Sequence, residues 1–517
     1  MAKIEHVFVL MLENRSFDHL FGFSGLPGVL PPAASFGFRP GAPDKMKKDP
    51  PHEYDDVKAQ VASGAMTGFA NYASTGNMLG LTPESIPVLM SLATDYLLMD
   101  NWFSSMPGPT WPNRFFAHAA SSGGLDNSPA FNDTLDAEFR PDKSFQIEHG
   151  HIFDRLSASG NSWRVYHGDR PQVLALTGMV STYVGSTFHP KTAPFRPSTN
   201  LGDDLANGDA AQYTWIEPTY DPIFSFNGDS QHPLGAISAG EALVKRIYNA
   251  VRQSSLWESS VLVVTWDEHG GFFDHVVPPK AQPPGDQPLS YERGSPKGDC
   301  KFNAFGPRVP AILISPMLPK GLGSVIFPGQ NFDHASIVSS VRSHFGLAAP
   351  LTRRDQAAPT WNSALLSAPR VDVGGPLNIR TARVSVARNG PVDLTAVKGP
   401  SAANLAGFLH IARGVDIEIA KLTGTPPLTV STHLKSLDTA RLLLAKVDPL
   451  PSEATKAHRL QLDYIAAVDE LETSLRRKVA RSTVAVRKRA GSSSKVKAER
   501  KATKQVASPK GRAGRSK

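Results

Sequence analysis

A three-layer αβα sandwich around a mainly parallel sheet is the fold class this sequence predicts, and three observations predict it. Residues 261–264 (VLVV) are an unbroken apolar run too short for most helices, so they read as a strand buried on both faces. Residues 4–12 (IEHVFVLML) read the same way at the N-terminus. Residues 235–257 have helical spacing, with Ala242, Leu243, Ile247 and Val251 on one side, and feed straight into the second strand. Helix, buried strand and polar cluster in that order indicate an α/β sandwich.

After the first strand, residues 22–51 are rich in Pro and Gly and are expected to be irregular. Residues 84–94 suggest a helix and 95–103 a strand. Residues 151–160 look helical, whereas 162–167 (SWRVYH) and 213–217 (YTWIE) read as strands. Residues 278–306 carry Pro, Gly and charge and are expected to form a loop near the cleft. Residues 309–314 read as another buried strand and 334–345 as a helix; Asp333-His334 at its start could approach the site, but capping by Asp333 is the plainer reading. These elements define an expected catalytic domain over 1–370. An accessory, mostly helical segment is expected over 371–486: a small β connection at 371–400, then helices at 402–447 and 453–486. Leu460, Leu462, Ile465, Val468, Leu471 and Leu475 make an apolar stripe in the last of these.

Both long strands end in hard oxygen ligands. The first runs into Glu13 and Asn14, the second into Asp267 and Glu268, followed by His269-Gly270-Gly271. In open α/β sheets ligands bind beyond the carboxyl ends of strands. A polar cap on a buried strand explains either cluster alone; the shared grammar favours one site. Such oxygen-rich donors suit Mg2+, Ca2+ or Mn2+ better than Zn2+. A third segment, residues 107–118 (PGPTWPNRFFAH), places Thr110 at an expected helix N-cap with Pro112 in the first turn. A hydroxyl there sits in the positive end-field of the helix, which favours a phosphate or an alkoxide. Arg114 adds a fork for a phosphate oxygen.

Together these segments resemble the bacterial and plant phosphoesterase family, which holds the non-specific phospholipases C and the AcpA-type acid phosphatases. The matching pieces are ENRSFDHLFG (13–22), TWPNR (110–114), DEHGGFFDHVVPP (267–279) and GPRVPAILISP (306–316), in collinear order. The resemblance implies an alkaline-phosphatase-like α/β fold and one divalent metal ion held by Glu13, Asn14, Thr110, Asp267 and Glu268. It implies Thr110 as nucleophile, with a phosphothreonine intermediate that splits one displacement into two. Threonine where the phosphatase branch has serine leans toward the phospholipase branch. Proton transfer near neutral pH calls for histidine, and His232, His269 and His275 are the candidates. Asn113, Arg114 and His118 are candidates for contacting substrate, although His118 lies two helical turns beyond Thr110. The expected reaction is hydrolysis of phosphatidylcholine-like phospholipids in the manner of a phospholipase C. The alternatives are an acid phosphatase, or a non-catalytic nucleic-acid-binding protein acting through its tail. A lipid enzyme needs an apolar groove beside Thr110, for which Trp102, Phe103, Trp111, Phe272 and Phe273 are candidates.

Composition sets the remaining bounds. A single cysteine, Cys300, among 517 residues excludes an intrachain disulfide and fits a reducing compartment. The start of the chain lacks the charged and apolar regions of a signal peptide, and no stretch approaches the roughly 20 apolar residues of a membrane span. The expected location is cytoplasmic or peripheral to a membrane. Residues 476–517 carry 16 Lys or Arg against one acid, a charge of +15 within a whole chain of +8, so the rest carries −7. Residues 487–517 are expected to be a disordered basic tail able to contact an anionic membrane or nucleic acid.

Overall fold

The computed structural model describes residues 4–129, 145, 147–188, 193–221, 228–287, 300–347, 349–381, 400–424, 468, 469 and 473. Eight strands form one sheet: β1 (His6–Leu12), β2 (Leu97–Leu98), β3 (Trp163–His167), β4 (Phe195–Pro197), β5 (Tyr213–Glu217), β6 (Ser260–Trp266), β7 (Ala311–Ile314) and β8 (Gly321–Leu322). Their order across the sheet is β8-β2-β7-β6-β1-β5-β3-β4. All pairings are parallel except those of β7, which runs antiparallel to both β2 and β6.

The two strands that carry the polar clusters lie at the centre and touch. β1 pairs with β6 in parallel register, Val7 opposite Val261 and Leu12 opposite Trp266. Every residue of β6 is buried, as are six of the seven in β1. This explains the continuous apolar runs, since a central parallel strand is covered on both faces. Each such Val, Leu or Ile contributes roughly 1.5–3 kcal/mol by leaving water.

Helices flank the sheet: α1 (Tyr54–Val61), α2 (Pro87–Asp95), α3 (Thr110–Ala119), α4 (Ile237–Gln253), α5 (Ala335–His344), α6 (Arg353–Ala357) and α7 (Pro400–Thr423). α4 buries Leu243, Val244, Ile247 and Val251 and packs against α2 and β6. Its buried Glu241 accepts from the Val88 and Leu89 backbone N–H groups, capping α2. α5 packs against α3 and α6, while α7 packs against α3 and the helix Met179–Phe188. The mainly parallel sheet with helices around it is the α/β architecture read from the sequence.

Several local expectations change. β2 is two residues long, because residues 99–109 leave the sheet after Leu98 and make only single bridges, Trp102 to Phe332 and Phe103 to Arg308. β4, three residues ending in a proline, carried no strand pattern to read. Pro109 is the cap of α3, and Thr110 is its first helical residue with its side chain turned elsewhere. Residues 371–381 contain no strand. Among the described residues of the accessory segment, α7 is helical as expected; residues 425–467, most of 470–486 and the whole of 487–517 lie outside the described set. No described helix is long and apolar enough to cross a membrane.

Candidate active site

The β1–β6 register brings the two strand ends together. With Leu12 opposite Trp266, the next residues, Glu13 and Asn14, leave the sheet beside Asp267 and Glu268. The Asn14 N–H donates to Asp267 Oδ1 at 2.9 Å, and the Glu268 N–H reaches the same oxygen at 2.7 Å. Asn14 adopts φ 60°, a left-handed conformation that Asn tolerates better than most residues. That turn sends its carboxamide toward α3, where Thr110 Oγ1 donates to Asn14 Oδ1 at 3.4 Å. Gly270 makes the turn possible from the other side. Its φ is +65°, and a Cβ there would collide with the Asn14 backbone.

The turn ahead of Thr110 is braced by Asn113. Its Oδ1 accepts from the Met106 N–H at 3.1 Å, and its Nδ2 donates to the carbonyls of Gly108 at 3.0 Å and Pro109 at 3.1 Å. Asn113 therefore shapes the loop that presents Thr110, where the sequence suggested a substrate contact. Arg114 likewise turns inward. Its Nε donates to Asp267 Oδ2 at 3.0 Å, and its Nη2 donates to the carbonyl of Leu12 at 3.1 Å. Its Nη1 is buried with no hydrogen-bond partner among the described residues, which leaves its two N–H donors for a ligand oxygen.

The four candidate histidines fall in four settings. His269 and His232 belong to the centre: His269 Nδ1 lies 3.2 Å from Glu268 Oε2, and His232 Nε2 lies 3.6 Å from Asp49 Oδ2. Burial holds both rings neutral, His232 down to about 4 and His269 well below its ordinary value. His275 lies elsewhere, donating to Asp18 at 2.7 Å in an ion-pair cluster with Arg308 and Asp274. His118 is wedged among rings, 4.3 Å from Trp215 and 5.5 Å from Phe153 between centroids.

Sequence reasoning missed His52, Asp49, Gln172 and Glu217. His52 follows Pro50 and Pro51, directly after the segment expected to be irregular, so no periodicity marked it. Its Nδ1 bonds the Pro50 carbonyl at 2.7 Å, and its Nε2 lies 3.1 Å from Asn14 Nδ2 and 3.7 Å from Glu268 Oε1. Burial disfavours its charge, but Glu268 and Asp49 outweigh burial and raise it to about 9. Gln172 donates to Glu13 Oε1 at 3.2 Å, and Glu217 receives the Gln172 and Val173 N–H groups, the Trp215 indole and the Tyr220 hydroxyl. The Tyr220 ring in turn lies under Arg114, 5.2 Å from its guanidinium. His334 Nε2 reaches the Asp267 carbonyl at 2.5 Å, so the helix α5 end does approach the centre, and Asp333 beside it pairs with Arg354.

Burial, more than any neighbour, disfavours the charged forms of the centre's carboxyl groups. Burial raises Glu13 to about 8 despite Arg114, Asp267 to about 6 despite Arg114, and Glu268 to about 7 despite His52. Glu13 Oε2 and Glu268 Oε1 are buried without a hydrogen-bond partner among the described residues. Buried acceptors of that kind are uncommon and call for an explanation such as an ion. Among the described residues no cluster of three or more His, Cys, Asp or Glu has metal-site geometry. Of the five expected ligands, Asp267 spends Oδ1 on the Asn14 and Glu268 N–H groups and Oδ2 on Arg114, so the residues that could hold a hard cation are Glu13 and Glu268 with the amide and hydroxyl oxygens of Asn14 and Thr110. The aromatic residues expected to line a groove are core instead. Trp102, Trp111, Phe272 and Phe273 are fully buried and Phe103 nearly so; Trp102 stacks on Phe332, Phe103 on Phe305, and Trp111 meets Phe115 and Phe408.

Comparison with known proteins follows the same residues. Non-specific phospholipase C6 of Arabidopsis thaliana is 32% identical over 405 residues, 72% of this chain and 74% of that one. Non-specific phospholipase C3 of the same plant is 31% identical over 72% of this chain and 75% of its own. Phospholipase C B of Mycobacterium tuberculosis is 26% identical over 68% and 75%. A solved protein of the alkaline phosphatase superfamily from Vibrio parahaemolyticus aligns over 69% of this chain and 70% of its own, at 10% identity and a TM-score of 0.31. The Phosphoesterase family model matches residues 4–348, the span that contains the sheet and every residue of the centre. The chain thus belongs to the Phosphoesterase family, hydrolases acting on phosphoric ester bonds.

Proposed function

We propose that this chain is a metal-dependent phospholipase C that cleaves phosphatidylcholine-like lipids through a phosphothreonine intermediate. The observation that carries the reading is Thr110 Oγ1 at 3.4 Å from Asn14 Oδ1, at the first residue of α3, in a centre where Glu13 Oε2 and Glu268 Oε1 are buried with no hydrogen-bond partner among the described residues. The names of the plant and mycobacterial relatives support phospholipid as the substrate. A divalent cation held by Glu13, Asn14, Thr110 and Glu268 would lower the hydroxyl pKa and offset charge on the phosphoryl oxygens.

The chain's own groups supply the rest. Thr110 Oγ1 forms the bond to phosphorus while the diacylglycerol oxygen leaves, taking a proton. Water then breaks the threonine–phosphorus bond and releases the phosphorylated head group. The N–H groups at the start of α3 and the two on Arg114 Nη1 are the donors for developing negative charge. His52, whose Nε2 lies 3.7 Å from Glu268 Oε1, is the candidate acid for the leaving oxygen. His232, neutral and beside Asp49, is the base for water. Asp267 and Asn113 position these groups.

Hydrolysis of phosphatidylcholine and of a simple phosphate monoester is compared for the full chain and for Thr110→Ala. The proposal expects lipid turnover in the presence of divalent metal, and a loss of at least ~1,000-fold in kcat with an unchanged melting midpoint in the variant. Preference for the monoester would make the chain a phosphatase. Near-normal turnover by Thr110→Ala would remove the nucleophile.

A further inference from the structure

Residues 20–38, 59–83 and 321–332 contain no charged side chain, in a chain of which 20% is Asp, Glu, Lys or Arg. The fold brings these three stretches together. A Cβ on Gly28 would lie 2.7 Å from Leu322, and one on Gly80 would lie 2.7 Å from Phe38 and 2.8 Å from Phe23. The Arg39 N–H, just past the first stretch, donates to the Met78 carbonyl in the second at 3.2 Å. Large apolar side chains stand out from the surface so formed. Leu30 is 74% exposed, Val325 70% and Val277 49%, and Val277 lies 3.4 Å from the Cβ position of Gly64. Leu26, Val29, Leu322 and Ile326 are half-buried and join the same loops to the core.

This surface lies at the reaction end of the sheet. β1, β2, β6 and β8 all run in one sense, because β7 is antiparallel to both β2 and β6. The chain therefore leaves β1, β6 and β8 at the same end, and Leu30, Val277 and Val325 lie on the loops that follow. Single exposed apolar residues are ordinary, but a group of them on one uncharged face marks an interaction surface. The missing charge selects the partner. Such a face has no electrostatic pull on nucleic acid or anionic lipid, and it meets net-neutral headgroups without desolvating an ion. Pro27, Pro31 and Pro32 restrict the loop that holds Leu30 out in water, a form suited to shallow insertion. We infer that this face docks the enzyme onto a zwitterionic bilayer, with Leu30, Val277 and Val325 inserted beneath the headgroups. The choice of a bilayer as occupant rests on the phospholipase reading and gives that reaction a docking surface distinct from the basic tail.

The test is co-sedimentation of vesicles with the full-length Thr110→Ala chain in chelator, so that the lipid is not consumed. Partition onto phosphatidylcholine vesicles is expected at about 1 mM lipid, unchanged between roughly 0.1 and 0.5 M salt. Adding Leu30→Asp or Val325→Asp is expected to weaken partition at least ~10-fold. Val371→Asp is expected to leave it intact, since Val371 is wholly exposed beside Arg370, which bonds the Asp95 carbonyl ahead of β2 at the opposite end of the sheet. In the otherwise wild-type chain, Leu30→Asp and Val325→Asp are expected to slow hydrolysis of phosphatidylcholine vesicles in proportion. Hydrolysis of a monomeric short-chain phosphatidylcholine and the melting midpoint should stay at wild type. No partition up to about 5 mM lipid overturns the inference. So does partition that both substitutions leave intact, or that needs anionic lipid and is lost in high salt, which would assign docking to the tail. A dimer broken by Leu30→Asp, without vesicle binding, would give the face to a second copy and overturns it too. The two readings fail separately. Vesicle binding without phosphatidylcholine hydrolysis removes the phospholipase and keeps the face; hydrolysis of the monomeric lipid without vesicle binding removes the face alone.

Discussion

Replacing Arg114 by Met keeps most of the side chain's length and removes its charge and donors. In the structure those donors hold Asp267 Oδ2 at 3.0 Å and the Leu12 carbonyl at 3.1 Å, in a place where both side chains of the ion pair are at most 2% exposed. Breaking a buried pair from one side costs about 3–5 kcal/mol, because the remaining charge stays buried. Asp267 has an escape: it can take up a proton. Burial already raises it to about 6 with Arg114 present, and losing Arg114 raises it further. At pH 8 the variant must bury a bare carboxylate or protonate it against solution, so the full cost of about 3–5 kcal/mol is expected. At pH 5 Asp267 is largely protonated in both proteins, and the loss should shrink to about 1–2 kcal/mol, the value of the backbone hydrogen bonds. Urea unfolding followed by tryptophan fluorescence in chelator, at both pH values, measures the difference as a shift in midpoint. Equal shifts at pH 5 and pH 8, or a loss under about 1 kcal/mol at pH 8, would refute the pairing as the reason Arg114 is there.

Other perturbations probe separate links. Asn14→Gly keeps a residue that accepts φ 60° but removes the amide that meets Thr110, so stability should change by less than about 1 kcal/mol while kcat falls at least ~100-fold; an active variant would detach Asn14 from the chemistry. Glu268→Gln should weaken Mn2+ binding at least ~10-fold by calorimetry, and unchanged affinity would move the cation elsewhere. Glu241, raised by burial to about 7, holds a proton in the folded state that the unfolded chain releases near 4.5. Its contribution is complete below pH 4.5 and is lost as pH rises toward 7, so Glu241→Gln should flatten the fall in melting midpoint over that window; an unaltered slope would contradict the shift.

The parts of the centre that were legible in the sequence are the parts that are contiguous. Glu13-Asn14 and Asp267-Glu268 end strands whose apolar runs announce burial, and one register brings them together. Thr110 was legible from the Pro-Gly turn ahead of it, although its cap role was not realised, since Asn14 rather than the helix takes its hydroxyl. His52 and Asp49 were not legible, because a loop has no period to reveal which side chain turns inward. Asn113 and Arg114 read as ligand contacts from chemistry alone. Only the folded arrangement reveals that a free carbonyl or carboxylate of the protein reaches them first. The antiparallel sense of β7 was invisible for a different reason: an apolar run of four residues records burial and carries no direction.

β1 occupies the middle of the sheet, yet its partners β5 and β6 arrive roughly 200 and 250 residues later. On a ribosome adding about 5–20 residues per second, the most water-averse strand emerges first and waits about 10–50 s for a neighbour. Its hydrogen-bonding edges are open throughout that delay, which makes the nascent chain a client for holding factors and makes refolding in a test tube a race against aggregation. The same ordering has a protective side. A truncated product that ends before β6 lacks Asp267 and Glu268 and is expected to hydrolyse no phosphoric ester.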